Sequence, residues 1–434
     1  MPIATENSES ISATDAEHLR SLGKLINENI EQYLSSLSSS GLPAPSFRPE
    51  AGNTSIPSDA AGAKAFGAIT TIAQRILALT TGPAGLYDIS RQFFTNSALQ
   101  VAVELDLAGR LPVEGVMMAG ELAAMTGAET AVIVRIMRAL TPLFIFEEIE
   151  PQTYKHTARS ALMRDPSVKA LLDFGGYEGF RVAAFLPESL KESGYRNLVE
   201  PTDAPFCKAF NTNSGFFDYV YKEKPEMGEK FGKAMAGTLK LSYEVKSIAE
   251  IFPFDILQKH GGTIVDVGGG MGQAMLSVAV RYPASHLSFT IQDLKGVIEA
   301  GKRACPDKFL SRFRWMPHDF FEKQPILRAS AYFLRHILHD WSDEYCIRIL
   351  RPIVEAMLPE SSRLLICEMI APEMNAPMAL AHRDLLMMGH LAGMERTERQ
   401  FVELAKRAHP QLYLEKVWKS TSGGACIMEF LLRE

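Results

Sequence analysis

An abrupt change from β-branched residues to glycines divides this 434-residue chain at Val267. The preceding residues, Thr263 to Val267, form a short apolar run that predicts a buried strand. Four of the next five residues are glycines, and the apolar segment from Met271 to Val280 then has the spacing of a helix. A strand that ends in glycines before a helix can bring bare backbone close to a ligand. We therefore predict a ligand site around this turn.

The spacing of the glycines narrows the class of ligand. A dinucleotide fingerprint needs Gly-x-Gly-x-x-Gly; Gly268 and Gly270 fit, but Gln273 occupies the third glycine position. The Gly-Lys-Ser/Thr of a phosphate loop is absent from this turn. The next apolar run, Leu287 to Ile291, leads into Asp293, an acid placed to hold a ribose diol. This pattern suits a nucleoside without phosphates, and S-adenosylmethionine (SAM) is the leading candidate.

Length and composition limit the remaining functional classes. With 434 residues, 47% of them hydrophobic, the chain can bury substantial cores, and we expect two domains. The formal net charge of −6 and the lack of a basic tract disfavour nucleic acid as a partner. No apolar run approaches the roughly 18 residues needed to span a bilayer, and Met1 to Ala13 lacks the apolar core of a signal peptide. We expect a cytoplasmic protein without a membrane partner.

The cysteines point to the same compartment. They are scattered without Cys-x-x-Cys spacing, at Cys207, Cys305, Cys346, Cys367 and Cys426. This distribution predicts a reducing environment, with neither a disulfide framework nor a structural zinc site.

The N-terminal half is predicted to be largely helical. In residues 1–60, an amphipathic helix from Asp15 to Leu37 precedes a linker rich in Ser, Pro and Gly. In residues 61–170, helices Glu121–Met125 and Glu129–Leu140 precede a two-strand wing. The strands of that wing are Phe144–Ile149 and Thr153–His156. Two helices, a turn and a small β-wing make a winged helix-turn-helix.

A winged helix can bind DNA or serve as a packing and dimerisation domain. The helix in the recognition position carries only Arg135 and Arg138 as basic residues. A face that contacts phosphates normally displays more cations. We therefore expect a dimerisation domain rather than a DNA-binding regulator.

Residues 171–250 are predicted to be helical and are unusually aromatic. Most of these aromatic side chains must lie in a core or a dimer interface. A minority can line an apolar pocket for a planar substrate. Phe210, Phe217 and Met235 are the candidates for substrate contacts.

In residues 251–434, strand-like and helical segments alternate, which predicts an α/β fold with a doubly wound, Rossmann-like sheet. The runs Leu412–Trp418 and Ala425–Leu432, separated by Gly423-Gly424, predict an antiparallel hairpin at its edge. Pro352 lies inside a predicted helix and is expected to kink or interrupt it.

Ligands bind at the carboxyl ends of the strands in such sheets, so the motifs at those ends are expected to meet. They are Gly268 to Gly272, Asp293, Asp319-Phe320, Arg335 to Asp340, and Glu368.

Four motifs together resemble a known family. They are Asp266-Val-Gly-Gly-Gly-Met-Gly272, His318-Asp-Phe-Phe321, Leu334-Arg-His-Ile-Leu-His-Asp-Trp-Ser-Asp-Glu344 and Glu395-Arg-Thr397. From about Phe93 to the C-terminus, the chain resembles the caffeate-type O-methyltransferases of plants and fungi, above all fungal enzymes of secondary metabolism. The resemblance implies a SAM-binding Rossmann-like domain behind a helical, winged-helix dimerisation domain. It also implies a homodimer that methylates hydroxyl groups without a metal.

The resemblance assigns roles to individual residues. His339 matches the catalytic base, and Glu368 and Glu395 match the acids that orient it. The implied cofactor contacts are the loop glycines Gly268, Gly269 and Gly270, the ribose ligand Asp293, the adenine contacts Asp319 and Phe320, and Arg335, which is lysine in plant members.

Methyl transfer to oxygen needs a base, because the hydroxyl is a poor nucleophile until it loses its proton. Histidine, with a reference pKa of about 6.5, is suited to take that proton near neutral pH. The alternative role for His339 is a cap on the helix that begins at Ser342. His336 is interpreted as a strand-end packing residue. Asp384, on an apolar helix, is interpreted as either an acceptor contact or a buried structural acid.

Two enzymatic functions remain open. One is a SAM-dependent O-methyltransferase acting on a phenolic or enolic hydroxyl of a small aromatic, polyketide-like or alkaloid-like metabolite. The alternative is a SAM-binding lyase or pericyclase that transfers no methyl group. The presence of both His339 and the paired acids favours methyl transfer, although a cyclase could reuse the histidine as an acid or base.

Overall fold

The computed structural model describes most of the chain, in the ranges 15–52, 54–241, 248–420 and 424–434. The predicted polar segment Met1 to Ala13 and the first glycine of the pair Gly423-Gly424 lie outside the described residues. The chain divides into two compact units, Met1–Asp165 and Pro166–Glu434. Among the described residues, no helix is both long and apolar enough to cross a lipid bilayer.

The first unit is mainly helical. Its helices are α1 (Asp15–Ser39), α2 (Ala60–Thr81), α3 (Gly85–Ile89), α4 (Phe93–Glu104), α5 (Leu107–Arg110), α6 (Ala119–Thr126), α7 (Thr130–Leu140) and α8 (Ala158–Leu162). Helix α7 buries Ile133, Met137 and Leu140 on one face, at the spacing of an amphipathic helix.

The wing of this unit has three strands rather than the two predicted. Its strands are β1 (Met117–Met118), β2 (Phe146–Glu150) and β3 (Thr153–His156), in the antiparallel order β1-β3-β2. Strand β1 is only two residues long, too short to leave a period-2 pattern in the sequence.

The second unit begins with a helical region. Its helices are α9 (Pro166–Phe174), α10 (Phe180–Glu192), α11 (Pro205–Phe210), α12 (Phe216–Asp218), α13 (Pro225–Leu241) and α14 (Ile248–Ile251). Phe174, Phe206 and Phe216 form the centre of an aromatic core, in which the rings of Phe206 and Phe216 meet edge to face at 5.1 Å. Most aromatic residues of this region therefore stabilise its helical packing.

A seven-stranded mixed sheet forms the rest of the second unit. Its strands are β4 (Thr263–Val267), β5 (Ser288–Asp293), β6 (Phe313–Pro317), β7 (Ala331–Arg335), β8 (Arg363–Glu368), β11 (Leu412–Lys419) and β12 (Cys426–Leu432). The strand order is β11-β12-β8-β7-β4-β5-β6; β4 to β8 are parallel, and the hairpin β11–β12 joins β8 antiparallel. The predicted doubly wound sheet with an antiparallel edge is confirmed. Two further strands, β9 (Ile370–Ala371) and β10 (Arg396–Thr397), form a separate parallel pair.

Helices cover both faces of this sheet. They are α15 (Gln273–Arg281), α16 (Lys295–Ala304), α17 (Asp343–Ala356) and α19 (Glu398–Ala408). Helix α18 (Met378–Leu391) packs instead on α10 and α11. Along β4, Ile264 packs into the core on one face, whereas Val265 and Val267 pack into the core on the other. Burial on both faces explains why the central strands are continuous apolar runs.

The expected break at Pro352 does not occur. Helix α17 continues through the proline from Asp343 to Ala356. The proline removes one backbone hydrogen bond. Burial of Ile349, Leu350 and Ile353 against the sheet offsets that loss.

Candidate active site

His339 lies in a short helical turn, Leu338–Asp340, just beyond the carboxyl end of β7. Its side chain is buried, and its Nδ1 donates a hydrogen bond to Glu395 Oε1 at 2.9 Å. The carboxylate therefore selects the ring tautomer and leaves Nε2 as the nitrogen that can exchange a proton. This bond gives His339 a role other than capping α17.

Glu368, at the end of β8, acts on the backbone of the same turn. Its Oε1 accepts hydrogen bonds from the N–H groups of Ile337 at 3.0 Å and Leu338 at 2.9 Å. Its Oε2 lies 4.0 Å from His339 Nδ1. Glu395 thus orients the imidazole ring, and Glu368 supports the turn that carries it.

Arg396 also supports this turn, and no role for it was predicted. Its guanidinium is fully buried and donates to the carbonyl oxygens of Leu338 at 2.7 Å and Trp341 at 2.8 Å. It also forms an ion pair with Asp343, at the start of α17, at 2.9 Å. In the sequence, Arg396 was only the middle residue of the Glu-Arg-Thr motif.

Asp384, on α18, holds the backbone of Glu395. Its Oδ1 accepts a hydrogen bond from the backbone N–H of Glu395 at 2.8 Å. Met394, one residue earlier, donates its N–H to the carbonyl oxygen of His339 at 2.9 Å. Asp384 was predicted to be either an acceptor contact or a buried structural acid. Its hydrogen bond with Glu395 matches the structural role, although its side chain is only half-buried.

The carboxylates around His339 change its protonation. Burial lowers the pKa of His339, but Glu368, Asp340 and Glu395 together outweigh burial and raise that pKa to about 9. Burial raises the pKa of Glu368, yet the charges of His339, His336 and Arg383 hold it at about 2. The acids around His339 thus favour its protonated form more strongly than the reference pKa of about 6.5 suggests.

His336 is also part of this cluster, contrary to its interpretation as a packing residue. Its backbone adopts the left-handed region, with φ 52°, which is uncommon for a residue other than glycine. Its Nδ1 lies 3.4 Å from Glu368 Oε2 and 3.1 Å from Arg383 Nη2. The left-handed turn directs the side chain towards the acids, which a strand-end pattern does not reveal.

The cofactor loop lies at the carboxyl ends of β4 and β5. Gly268 and Gly270 have φ angles of 69° and 59°, in the region that favours glycine. The N–H of Gly270 donates to Asp293 Oδ2 at 2.8 Å, and Gly269 donates to the carbonyl oxygen of Gln292 at 2.9 Å. The structure thus brings the acid predicted to hold the ribose into contact with the loop.

Close packing explains two of the loop glycines. A Cβ on Gly268 would lie 2.5 Å from Ile337 Cδ1, in the turn before His339, and 3.6 Å from Phe320. A Cβ on Gly269 would lie 2.6 Å from the carboxyl carbon of Asp266. Bare backbone therefore lets this loop, here called the cradle, pack closely against the His339 turn and Asp266.

The remaining predicted cofactor residues border this cradle. Asp319 Oδ1 accepts the N–H of Phe321 at 2.9 Å, and the ring of Phe320 meets Trp341 edge to face at 6.0 Å. Arg335 ends β7, where its charge counteracts the raised pKa that burial gives Asp266.

A buried pair of amides supports the Asp319 segment, and sequence reasoning missed it. Gln292 and Gln324 exchange two side-chain hydrogen bonds, at 2.8 and 2.9 Å. The pair ties the loop after β6 to the end of β5. The two glutamines are 32 residues apart in the sequence, so no local motif signals the pairing.

The three residues predicted to contact substrate lie in different surroundings. Phe217 lies 6.1 Å from Trp341, next to the His339 turn. Phe210 packs on Phe206 at 4.7 Å within the aromatic core, and Met235 is 38% exposed on α13. Of the three, Phe217 packs beside a residue that follows the His339 turn.

One group of side chains has the spacing of a metal site. Ligand atoms of His336, His339 and Glu368 lie within 4.8 Å of one another. A cation already contacts this group, since Arg383 Nη2 lies 3.1 Å from His336 Nδ1 and 3.2 Å from His339 Nδ1. A positive charge from within the chain therefore already lies beside this group.

Comparison with known proteins supplies the context for this site. Residues 193–409 match the O-methyltransferase domain model, and residues 87–164 match the O-methyltransferase dimerisation domain model. The chain is 36% identical to the O-methyltransferase xanE of Aspergillus fumigatus, over 84% of this chain and 86% of that protein. It is 34% identical to the O-methyltransferase penK of Penicillium thymicola, over 99% of both chains.

A solved structure of a pericyclic reaction enzyme is also similar. It has a TM-score of 0.72 and 27% sequence identity, and the match covers 84% of this chain and 94% of the other. The fold alone therefore does not separate methyl transfer from pericyclic chemistry.

Proposed function

The chain belongs to the plant and fungal O-methyltransferase family that carries a dimerisation domain, and from this premise we propose that it methylates a phenolic or enolic hydroxyl of a small secondary metabolite, with His339 as general base. As a member of this family it is SAM-dependent. The predicted family and cofactor are confirmed, whereas the acceptor and the base are proposals.

The contact between His339 and Glu395 carries the proposal. A buried carboxylate that holds Nδ1 leaves Nε2 to take the acceptor proton, which is the arrangement a general base needs. The same turn packs against the glycine loop through Ile337 and Gly268. The base and the cofactor cradle are therefore neighbours.

The chain's own residues then perform three tasks. The glycine loop, Asp293 and the Asp319-Phe320 segment would hold SAM, which would supply a methyl group activated by its sulfonium. His339 Nε2 receives the acceptor proton, and Asp340 Oδ1 lies 3.3 Å from that nitrogen. Glu395 stabilises the imidazolium that results. Removal of the proton is worth about 10²–10⁴-fold in rate, and positioning supplies the rest.

We propose a planar aromatic acceptor, either polyketide-like or alkaloid-like. Phe217 and Trp341 place aromatic faces beside the base, and such faces favour flat ligands. Phe210, Met235 and Asp384 remain proposed acceptor contacts. We also propose a homodimer, because residues 87–164 match a dimerisation domain.

The second candidate is SAM-assisted lyase or pericyclic chemistry without methyl transfer. The structural similarity to a pericyclic enzyme favours it. The intact pairing of His339 with Glu395 favours methyl transfer.

Transfer of labelled methyl groups tests both candidates. Methyl-labelled SAM is incubated with a panel of polyketide-like and alkaloid-like phenols, using wild type, His339→Ala and the control His286→Ala. His286 is exposed and precedes β5, at the opposite end of the strands from the site. We expect label on oxygen with wild type and the control, and a loss of about 10²–10⁴-fold in His339→Ala.

Two other outcomes change the proposal. Transfer that survives His339→Ala would remove the base and keep the reaction. Binding of SAM without labelling of any acceptor in a broad panel would favour the lyase or pericyclase.

A further inference from the structure

Arg383, on α18, points its guanidinium into the group of acids and histidines around His339. We propose that Arg383 is a positioning residue: it holds Glu395 against His339 and, as a fixed positive charge, favours the neutral imidazole that accepts the proton. The inference rests on the proposed methyl transfer, which it deepens.

The guanidinium contacts both sides of the catalytic pair. Its Nε lies 2.8 Å from Glu395 Oε1, the same oxygen that accepts the His339 hydrogen bond. Its Nη2 lies 3.2 Å from His339 Nδ1, and its Nη1 lies 2.9 Å from Met369 Sδ. These contacts hold a planar group in one orientation, so Glu395 is held between two donors.

The positions of the N–H protons determine which of the Arg383 contacts are attractive. A guanidinium has only donors, and Nδ1 of His339 already donates to Glu395. The contact of 3.2 Å between Arg383 Nη2 and His339 Nδ1 therefore cannot be a hydrogen bond in that state. It brings two positive groups together whenever His339 is protonated. Repulsion at this distance favours release of the His339 proton.

The repulsion from Arg383 opposes the surrounding carboxylates, which favour the protonated form of His339. Glu368 from the end of β8, Glu395 from the segment before β10, and Asp340 from the same turn all favour the imidazolium. The opposing groups are Arg383, from α18, and His336 when it is protonated. Arg396, the other guanidinium at this turn, contacts the carbonyl oxygens of Leu338 and Trp341 rather than the imidazole ring. Arg383 is therefore a permanent cation that contacts the ring itself and opposes the three carboxylates.

The close spacing of the cluster places Arg383 beside both histidines. Atoms of His336, His339 and Glu368 lie within 4.8 Å of one another, and Arg383 Nη2 contacts both histidines. A fixed positive charge therefore lies next to this group, where it disfavours a proton on His339.

The test compares Arg383→Gln and Arg383→Lys with Arg399→Gln, a control on α19 whose side chain is 68% exposed. Initial rates with methyl-labelled SAM are measured from about pH 6 to about pH 10. In Arg383→Gln, we expect the acid limb of kcat to move up by about one pH unit. The rate at pH 7 should then fall about ten-fold, and the difference from wild type should shrink as the pH approaches 10. Arg383→Lys should retain the wild-type limb more closely, and the KM for SAM should not change.

A titration without any acceptor separates this inference from the reaction itself. The pKa of His339 is measured by NMR in protein labelled with ¹⁵N-histidine, for the same variants. A higher His339 pKa in Arg383→Gln than in wild type supports the charge role, even if no acceptor is methylated. Thermal unfolding of each variant shows that it folds.

An unchanged His339 pKa in folded Arg383→Gln would overturn the inference. A rate loss that is equal at every pH would also overturn it, because a purely structural defect does not move the acid limb. Absence of methyl transfer in wild type would instead contradict the proposed function and leave the titration to decide the role of Arg383.

Discussion

The two acids beside His339 act on different parts of that residue. Glu395 bonds the ring at Nδ1, whereas Glu368 accepts hydrogen bonds from the backbone of the turn. Both carboxylates also raise the pKa of His339. Neutralising Glu395 alone therefore tests the orientation of the His339 ring, and neutralising Glu368 alone tests the stability of the turn that carries it.

Replacement of Glu395 by Gln should act mainly on catalysis. The amide oxygen can still accept the Nδ1 hydrogen bond, but it no longer stabilises an imidazolium. We expect the acid limb of kcat to move to lower pH and the limiting kcat at high pH to fall about 10²-fold, with little change in the KM for the acceptor. Steady-state kinetics check this result. A large rise in KM with unchanged kcat would show that Glu395 acts in binding instead.

Replacement of Glu368 by Gln should act on stability, with a defined pH dependence. The folded-state pKa of Glu368 is about 2, below the unfolded value of about 4.5. The ionised form therefore stabilises the fold above pH 4.5, and this contribution is lost as the pH falls towards 2. We expect Glu368→Gln to lower the free energy of unfolding by about 3 kcal/mol at pH 7.

Denaturant unfolding at several pH values checks this stability effect. The difference between wild type and Glu368→Gln should shrink below about pH 4.5. A difference that stays constant with pH would mean that packing of the side chain, rather than its charge, stabilises the turn.

At the scale of elements, the turn that carries His339 depends on a close approach between two segments distant in sequence. Gly393 precedes the segment that carries Glu395. A Cβ on Gly393 would overlap the carbonyl oxygen of His339 and lie 2.7 Å from the carbonyl carbon of Asp340. Both obstacles are backbone atoms, which cannot rotate away. This glycine allows the base and its acid to meet.

Gly393→Ala should therefore separate His339 from Glu395. We expect a loss of kcat of at least about 10²-fold, because the general-base contribution disappears. Gly296→Ala, in α16, is the control, since a Cβ there meets nothing within 4 Å. Labelled methyl transfer and thermal unfolding are measured for both. Full activity in Gly393→Ala would show that the two segments can move apart without cost.

At the scale of the molecule, the first unit has an exposed apolar surface at α2 to α4. Leu77, Leu86, Tyr87, Ile89 and Phe94 are each at least 60% exposed. Soluble monomers rarely leave so many large apolar side chains open to water in one stretch. The dimerisation-domain match begins at residue 87, within this stretch. A second copy of the chain is the partner that this surface suits.

The substitution pair Leu86→Asp with Ile89→Asp should weaken the homodimer. Moving a charged side chain from water into an apolar interface costs free energy, so the two aspartates should oppose association. We expect light scattering coupled to size exclusion to show monomer at concentrations where wild type is dimeric. Leu327→Asp, in the second unit and 60% exposed, is the control. A double variant that stays dimeric would place the interface elsewhere in the first unit.

Local patterns in the sequence determined the parallel sheet, the glycine loop and the antiparallel edge hairpin. Apolar runs and glycine positions encode these elements directly, because backbone geometry and burial act over a few residues. His339, Glu368 and Glu395 were identified from family motifs, and the structure brings all three together.

Only the tertiary structure decided which charges meet. Arg383 lies 44 residues from His339 in the chain, and Arg396 lies 58 residues from Leu338. Such contacts depend on the order of the strands and on how α18 packs beside them, which no local preference encodes. The pKa of about 9 for His339 has the same origin, because it depends on carboxylates that distant segments bring to one buried ring.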